Sequence, residues 1–177
     1  MAKPIESHVR LDAKTFRRYC AFDTFRRQRR WFPPVLVGML LITLALAGLL
    51  NIIPMGESAA GVLMGLGIAV PLVVFGLYAI QVEAQIANRK LKEAPEVYAL
   101  RFADDGVRVA DGQNPESSVT LGWDQLWAAF RRRDCVYLYA TPDRAFILPN
   151  GQANVADEAV WKCLNRNMGE GKCVVSQ

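Results

Sequence analysis

The stretch that decides the architecture runs from residue 33 to residue 80 and reads PPVLVGMLLITLALAGLLNIIPMGESAAGVLMGLGIAVPLVVFGLYAI. Residues 33–53 and 59–80 carry no charge, 43 of the 177 residues together. A helix rises about 1.5 Å per residue, so each run covers the roughly 30 Å of a bilayer's hydrocarbon core. We read transmembrane helices over 33–53 and 59–82, with an external loop at 54–58. What is left of the chain cannot bury two such helices, which excludes a wholly soluble protein. The late start and the second run that follows directly argue for a span rather than a cleavable signal peptide.

Charge sets the expected orientation. Residues 1–32 hold nine Lys/Arg against three Asp/Glu, and four of the basic residues, Arg26, Arg27, Arg29 and Arg30, flank the first run. Arg89, Lys90 and Lys92 follow the second, while the loop carries Glu57 and no Lys or Arg. The short loop makes an antiparallel hairpin, and the positive-inside rule places both termini in the cytoplasm. Trp31 and Phe32 fall at interfacial depth. Neither run contains Asp, Glu, His, Lys or Arg, which argues against a transport path. Gly38, Gly48, Gly61 and Gly65 allow close helix packing, either within the hairpin or against a second copy in a homo-oligomer. Pro71 should release the carbonyl of Gly67.

Working outward, residues 1–32 form a basic cytoplasmic arm. Ile5, Ser7, Val9 and Leu11 alternate as a short strand, Asp12 caps a helix, and an amphipathic pattern continues to Arg30. Arg17, Arg18, Arg26, Arg27, Arg29 and Arg30 are candidate contacts to anionic lipid, with a plain topology anchor as the other reading. Aromatic residues do not alternate with these charges as a nucleic-acid platform requires.

Beyond a polar linker at 83–94 the pattern changes. Period-two alternation marks about six short strands within 95–149, with turns at Asp104-Asp105-Gly106, Arg131–Asp134 and Thr141–Arg144 and a loop over Asp111–Glu116. A helix capped by Asn154, with Asp157 completing a capping box, carries Val160, Trp161 and Leu164 on one stripe and stops at Gly169. The fold class is therefore a membrane α-helical hairpin plus an α+β cytoplasmic domain, 95–177: an antiparallel sheet or small barrel closed by a C-terminal helix. Its core should include Leu100, Phe102, Val107, Val109, Leu121, Trp123, Leu126, Val136, Leu138, Phe146, Leu148, Val160, Trp161 and Leu164.

The ordered set Tyr98…Phe102-Ala-Asp-Asp-Gly106, Leu121-Gly-Trp123-Asp-Gln-Leu126, Tyr137-Leu-Tyr139 and Phe146-Ile-Leu-Pro149, behind two spans, resembles the YcxB-like family of bacterial membrane proteins. That resemblance implies a multi-pass inner-membrane protein whose cytoplasmic domain is similar to pleckstrin-homology-type barrels, in a family without an assigned activity. Family members often carry Lys or Arg after the I-L-P segment; here the chain reads Pro149-Asn150-Gly151-Gln152.

Material for chemistry is sparse. There is one histidine, His8, no P-loop and no serine elbow. The four cysteines, Cys20, Cys135, Cys163 and Cys173, lack metal-site spacing and are read as reduced thiols, with a Cys163–Cys173 redox pair as the sharper alternative. No catalytic residue, metal or cofactor is expected. Arg131, Arg132 and Arg133, at a hairpin tip, are candidate contacts to a partner or to lipid, against the plain reading of a solvated turn. The expected function is a non-enzymatic, membrane-anchored interaction module whose partners are membrane lipid and a cytoplasmic or membrane protein. The alternative is an oligomeric channel or an accessory subunit of a transporter.

Overall fold

The computed structural model describes residues 5–112, 117–169 and 171–176. In chain order the elements are β1 (Ile5–Arg10), α1 (Ala13–Ala21), α2 (Phe32–Leu49), α3 (Glu57–Asn88), β2 (Glu96–Ala103), β3 (Gly106–Asp111), β4 (Ser118–Gly122), β5 (Ala128–Arg131), β6 (Cys135–Thr141), β7 (Arg144–Pro149), α4 (Asp157–Met168) and β8 (Cys173–Val175). Two compact units result: one holds the chain up to Tyr19 together with everything from Lys90 on, the other holds Cys20–Arg89.

The second unit is a helical hairpin. α2 and α3 are long and apolar enough to cross a membrane. They run antiparallel and touch where neither has a side chain: a Cβ placed on Gly38 would lie 2.5 Å from the Gly67 carbonyl oxygen, and one on Gly67 would lie 2.9 Å from that of Gly38. Pro71 leaves the Gly67 carbonyl without its intrahelical donor, and that oxygen lies against Gly38. The α3 helix runs through Pro71 without interruption. Helix ends differ from the sequence reading. α2 stops at Leu49 because Asn51 adopts a left-handed backbone (φ 56°) and the following amides turn back, Asn51 N–H to Gly48 O and Ile52 N–H to Ala47 O, both at 3.0 Å. The connection is therefore 50–56 rather than 54–58. α3 extends to Asn88, so the polar linker begins as helix; beyond it Leu91 is fully buried in the other unit.

The α+β unit has two four-stranded sheets rather than one of about six strands. The first has order β1-β2-β3-β4 and is antiparallel throughout; the second has order β7-β6-β5-β8, with β8 parallel to β5. The two extra strands come from the termini. β1, expected in a separate arm, pairs with β2 in the register Ser7↔Leu100 and Val9↔Tyr98. Alternation marks β1 as a strand but cannot name its partner some ninety positions away. β8 has only three residues, too few for a period to show.

Side chains stitch the two sheets along β1. Ser7 Oγ donates to Gln152 O at 2.9 Å. Gln152 accepts from Arg10 N–H and donates to Arg10 O, both at 2.9 Å. Asn154 accepts from Glu6 N–H at 3.0 Å and donates its own N–H to Glu6 O at 2.8 Å. Asn154 is thus spent on β1 and does not cap α4; the helix starts after Ala156, and Asp157 accepts from Gly151 N–H at 2.8 Å. Across the interior the Tyr98 hydroxyl, from β2, donates to Ile147 O at 2.9 Å and accepts from Ile147 N–H at 2.6 Å, tying it to β7.

The core between sheets and α4 contains ten of the fourteen inward residues named above and adds Val9, Ala129 and Met168, while Val109, Leu121, Trp123 and Phe146 are only partly buried and pack against it. The opposite face of the second sheet is also covered. Tyr137 and Tyr139 point away from the core, yet both are buried, because Tyr19 of α1 packs on them with ring centroids 5.2 and 6.4 Å away. Asp12 caps α1 as expected, accepting from Thr15 N–H at 2.9 Å. The helix does not run evenly to Arg30: a π-helical turn, Phe22–Arg27, follows Ala21. The loop read over Asp111–Glu116 lies mostly outside the described residues; Asp111 ends β3, and Gly112 N–H donates to Val97 O at 3.1 Å.

Candidate functional site

The six arginines of the arm do not form one surface. Arg18 pairs with Asp134, fixing α1 to the turn before β6. Arg27 is 9% exposed at its side chain and pairs with Asp23 at 2.6 Å, while Gln28 Nε2 donates to the other Asp23 oxygen at 2.6 Å. Both arginines hold local structure. Arg17, Arg26, Arg29 and Arg30 are exposed. Arg29 has a left-handed backbone (φ 50°) at the turn into α2, and the next residue but one, Trp31, donates its indole N–H to Phe25 O at 3.0 Å. On the apolar side of α1, Tyr19 packs on Tyr137 and Tyr139 of the unit's own sheet and Phe16 is buried beside Tyr19.

The triple arginine also separates. Arg131 donates to Glu158 of α4 at 2.6 Å and lies over the Trp161 ring at 5.8 Å; it holds the Glu158 carboxyl below its usual range. Arg132 donates to Ser176 O at 3.4 Å. Arg133 remains exposed, its carbonyl accepting from Asn150 Nδ2 at 3.1 Å. Of the four glycines, Gly38 and Gly48 are packing sites, the latter against Met55, whereas Gly61 and Gly65 face open space and take no part in the hairpin's packing. Gly67, not Gly61 or Gly65, is the partner of Gly38.

Burial pushes Cys20 and Cys135 up to about 11 and raises Cys173. Among the described residues no group of three or more His, Cys, Asp or Glu is gathered as a metal site would need.

What the fold does assemble lies on the outer face of the first sheet. Glu6, Arg101, Arg108 and Thr120 form a row across all four strands, each opposite the next in register. Arg101 Nε stands 3.4 Å from Glu6 Oε1, and Arg108 Nε donates to Thr120 Oγ1 at 3.4 Å. Between the arginines is a recess of about 220 Å³, lined by both together with Ala103, Asp105 and Thr120. The sequence reading passed over this pair. The turn signal Asp104-Asp105-Gly106 does not fix the register; in the structure the turn is Asp104-Asp105, so Ala103 opposes Gly106 and Arg101 opposes Arg108.

Comparison with protein-family models, curated proteins and solved structures finds no match to the chain.

Proposed function

We propose that this chain is a membrane-anchored, non-enzymatic interaction module of the bacterial inner membrane. In this reading the hairpin crosses the bilayer and holds a small domain, similar to the pleckstrin-homology type, at the cytoplasmic face. One observation carries it. α2 and α3 leave their large apolar side chains exposed, Met39 and Leu72 each at 65% and Leu40 at 64%, while the α+β unit closes a core of its own. A helix apolar on all sides and not covered by protein needs a hydrocarbon solvent.

Topology supports the expected orientation by a route independent of charge. β1 precedes the hairpin, β2 follows it, and the two strands pair. A chain that leaves one folded unit, crosses a bilayer and returns to the same unit must cross an even number of times. Both ends then lie on one side, and the basic flanks favour the cytoplasm. Two sheets joined along β1, one antiparallel and one antiparallel but for β8, with a C-terminal helix over the core, support the barrel type that the YcxB-like resemblance implies. Arg26, Arg29 and Arg30 beside Trp31 are the positions for anionic headgroups, each worth on the order of 1 kcal/mol near such a surface.

Thiol labelling tests the anchor. With a membrane-impermeant maleimide on intact spheroplasts, Ser58→Cys should label above the wild-type background, and Arg133→Cys only after permeabilisation. The reverse pattern, or release of the protein by alkaline carbonate, would overturn the reading.

A further inference from the structure

We propose that the recess between Arg101 and Arg108 binds a phosphoryl group carried by a hydroxyl-bearing ester. The two guanidinium groups sit at directly opposed positions of β2 and β3, an arrangement that destabilises a strand pair unless something negative answers it. The sheet answers it weakly. Glu6 reaches Arg101 at 3.4 Å and Thr120 reaches Arg108 at 3.4 Å, both longer than a good charge-assisted hydrogen bond, about 2.7–2.9 Å. Two planar forks of donors facing one gap match the oxygens of a phosphoryl group, which accepts bidentate pairs, and the Thr120 hydroxyl supplies a further donor. Ala103 adds only a methyl group to the lining. At about 220 Å³ the recess is smaller than the roughly 300–1,000 Å³ of pockets that enclose a whole small molecule, so it takes one group and leaves the carrier outside. Asp105, which also lines the recess, accepts from a donor and so favours a hydroxyl next to the phosphoryl group. That chemistry is shared by a free polyol phosphate and by a glycerol-bearing lipid headgroup.

The inference rests on the interaction-module reading in placing recognition on this domain, but not on the hairpin's surroundings. The test uses the full chain in phosphatidylcholine nanodiscs at low salt, titrated calorimetrically with glycerol 3-phosphate, with inorganic phosphate, and with vesicles containing phosphatidylglycerol. Saturable binding of glycerol 3-phosphate, tighter than that of inorganic phosphate, is expected. Arg108→Ala and Arg101→Ala should each weaken it at least tenfold, Arg108→Lys less, and Asp105→Asn should erase the preference for the ester. Binding of free ester assigns a soluble ligand; binding only of vesicles, lost in the same variants, assigns a lipid. Equal affinity in wild type and in an Arg101→Ala/Arg108→Ala double variant with an unchanged melting transition overturns the proposal, as does no binding of any probe at millimolar concentration. Should the double variant not fold, Arg108→Lys and Arg101→Lys carry the comparison. Maleimide labelling of Ser58→Cys reads the anchor separately, so either reading can fail without the other.

Discussion

At the scale of single residues, the sharpest contrasts are between positions that look alike in sequence. Gly38 and Gly61 are both glycines of an apolar helix, but only Gly38 touches backbone. Gly38→Ala should destabilise the hairpin by about 1–3 kcal/mol through overpacking, read as a lower melting temperature in detergent, while Gly61→Ala should leave it unchanged. Asp12 offers a second contrast. Hydrogen bonds from Thr15 hold its carboxyl below the ordinary carboxylate range. A depressed carboxylate stabilises the fold above its unfolded pKa, about 3.9, and loses that contribution as pH falls through its folded value. Asp12→Ala should therefore cost about 1 kcal/mol at neutral pH and progressively less below pH 4, measured by chemical denaturation across that range. Cys135 is fully buried, with its thiol pushed up to about 11. Thiolate is the reacting species, so iodoacetamide at pH 7 should modify Cys135 only when denaturant is added, as mass spectrometry of the native protein would show.

At the scale of elements, β1 matters most. It reads as part of a basic arm, yet Val9 is fully buried and Leu11 is 2% exposed, in the same unit as Leu100. Leu11→Ala should then cost what Leu100→Ala costs, about 2–5 kcal/mol, in urea unfolding followed by tryptophan fluorescence. An arm that only orients the hairpin would give a change near zero. α1 is likewise an internal element: its Tyr19 covers the outer face of the second sheet, and its basic residue Arg18 is tied to Asp134. The helix period foretold the amphipathic face of α1 but not what it covers, because a membrane surface and a row of tyrosines present the same apolar demand.

At the scale of the whole molecule, the hairpin is an insertion into a domain rather than a segment in front of one. A chain joining residues 5–19 to 90–177 through a flexible linker of about 20 Gly/Ser residues should be soluble and melt in one cooperative transition. The fragment 95–177, the domain a linear reading would cut out, lacks β1 and α1 and should remain unfolded by circular dichroism. The sequence alone determined the two apolar helices, the strands β2 to β7, the C-terminal helix and most of the core, because each rests on a local period of hydrophobicity. Only the tertiary structure decided the partners of β1 and β8, the fates of Gln152 and Asn154, the separation of the arginine clusters into paired and exposed members, and the choice of Gly67 over Gly61 and Gly65. These depend on contacts between residues far apart in the chain, where local patterning specifies that a face must be buried and leaves open which neighbour buries it.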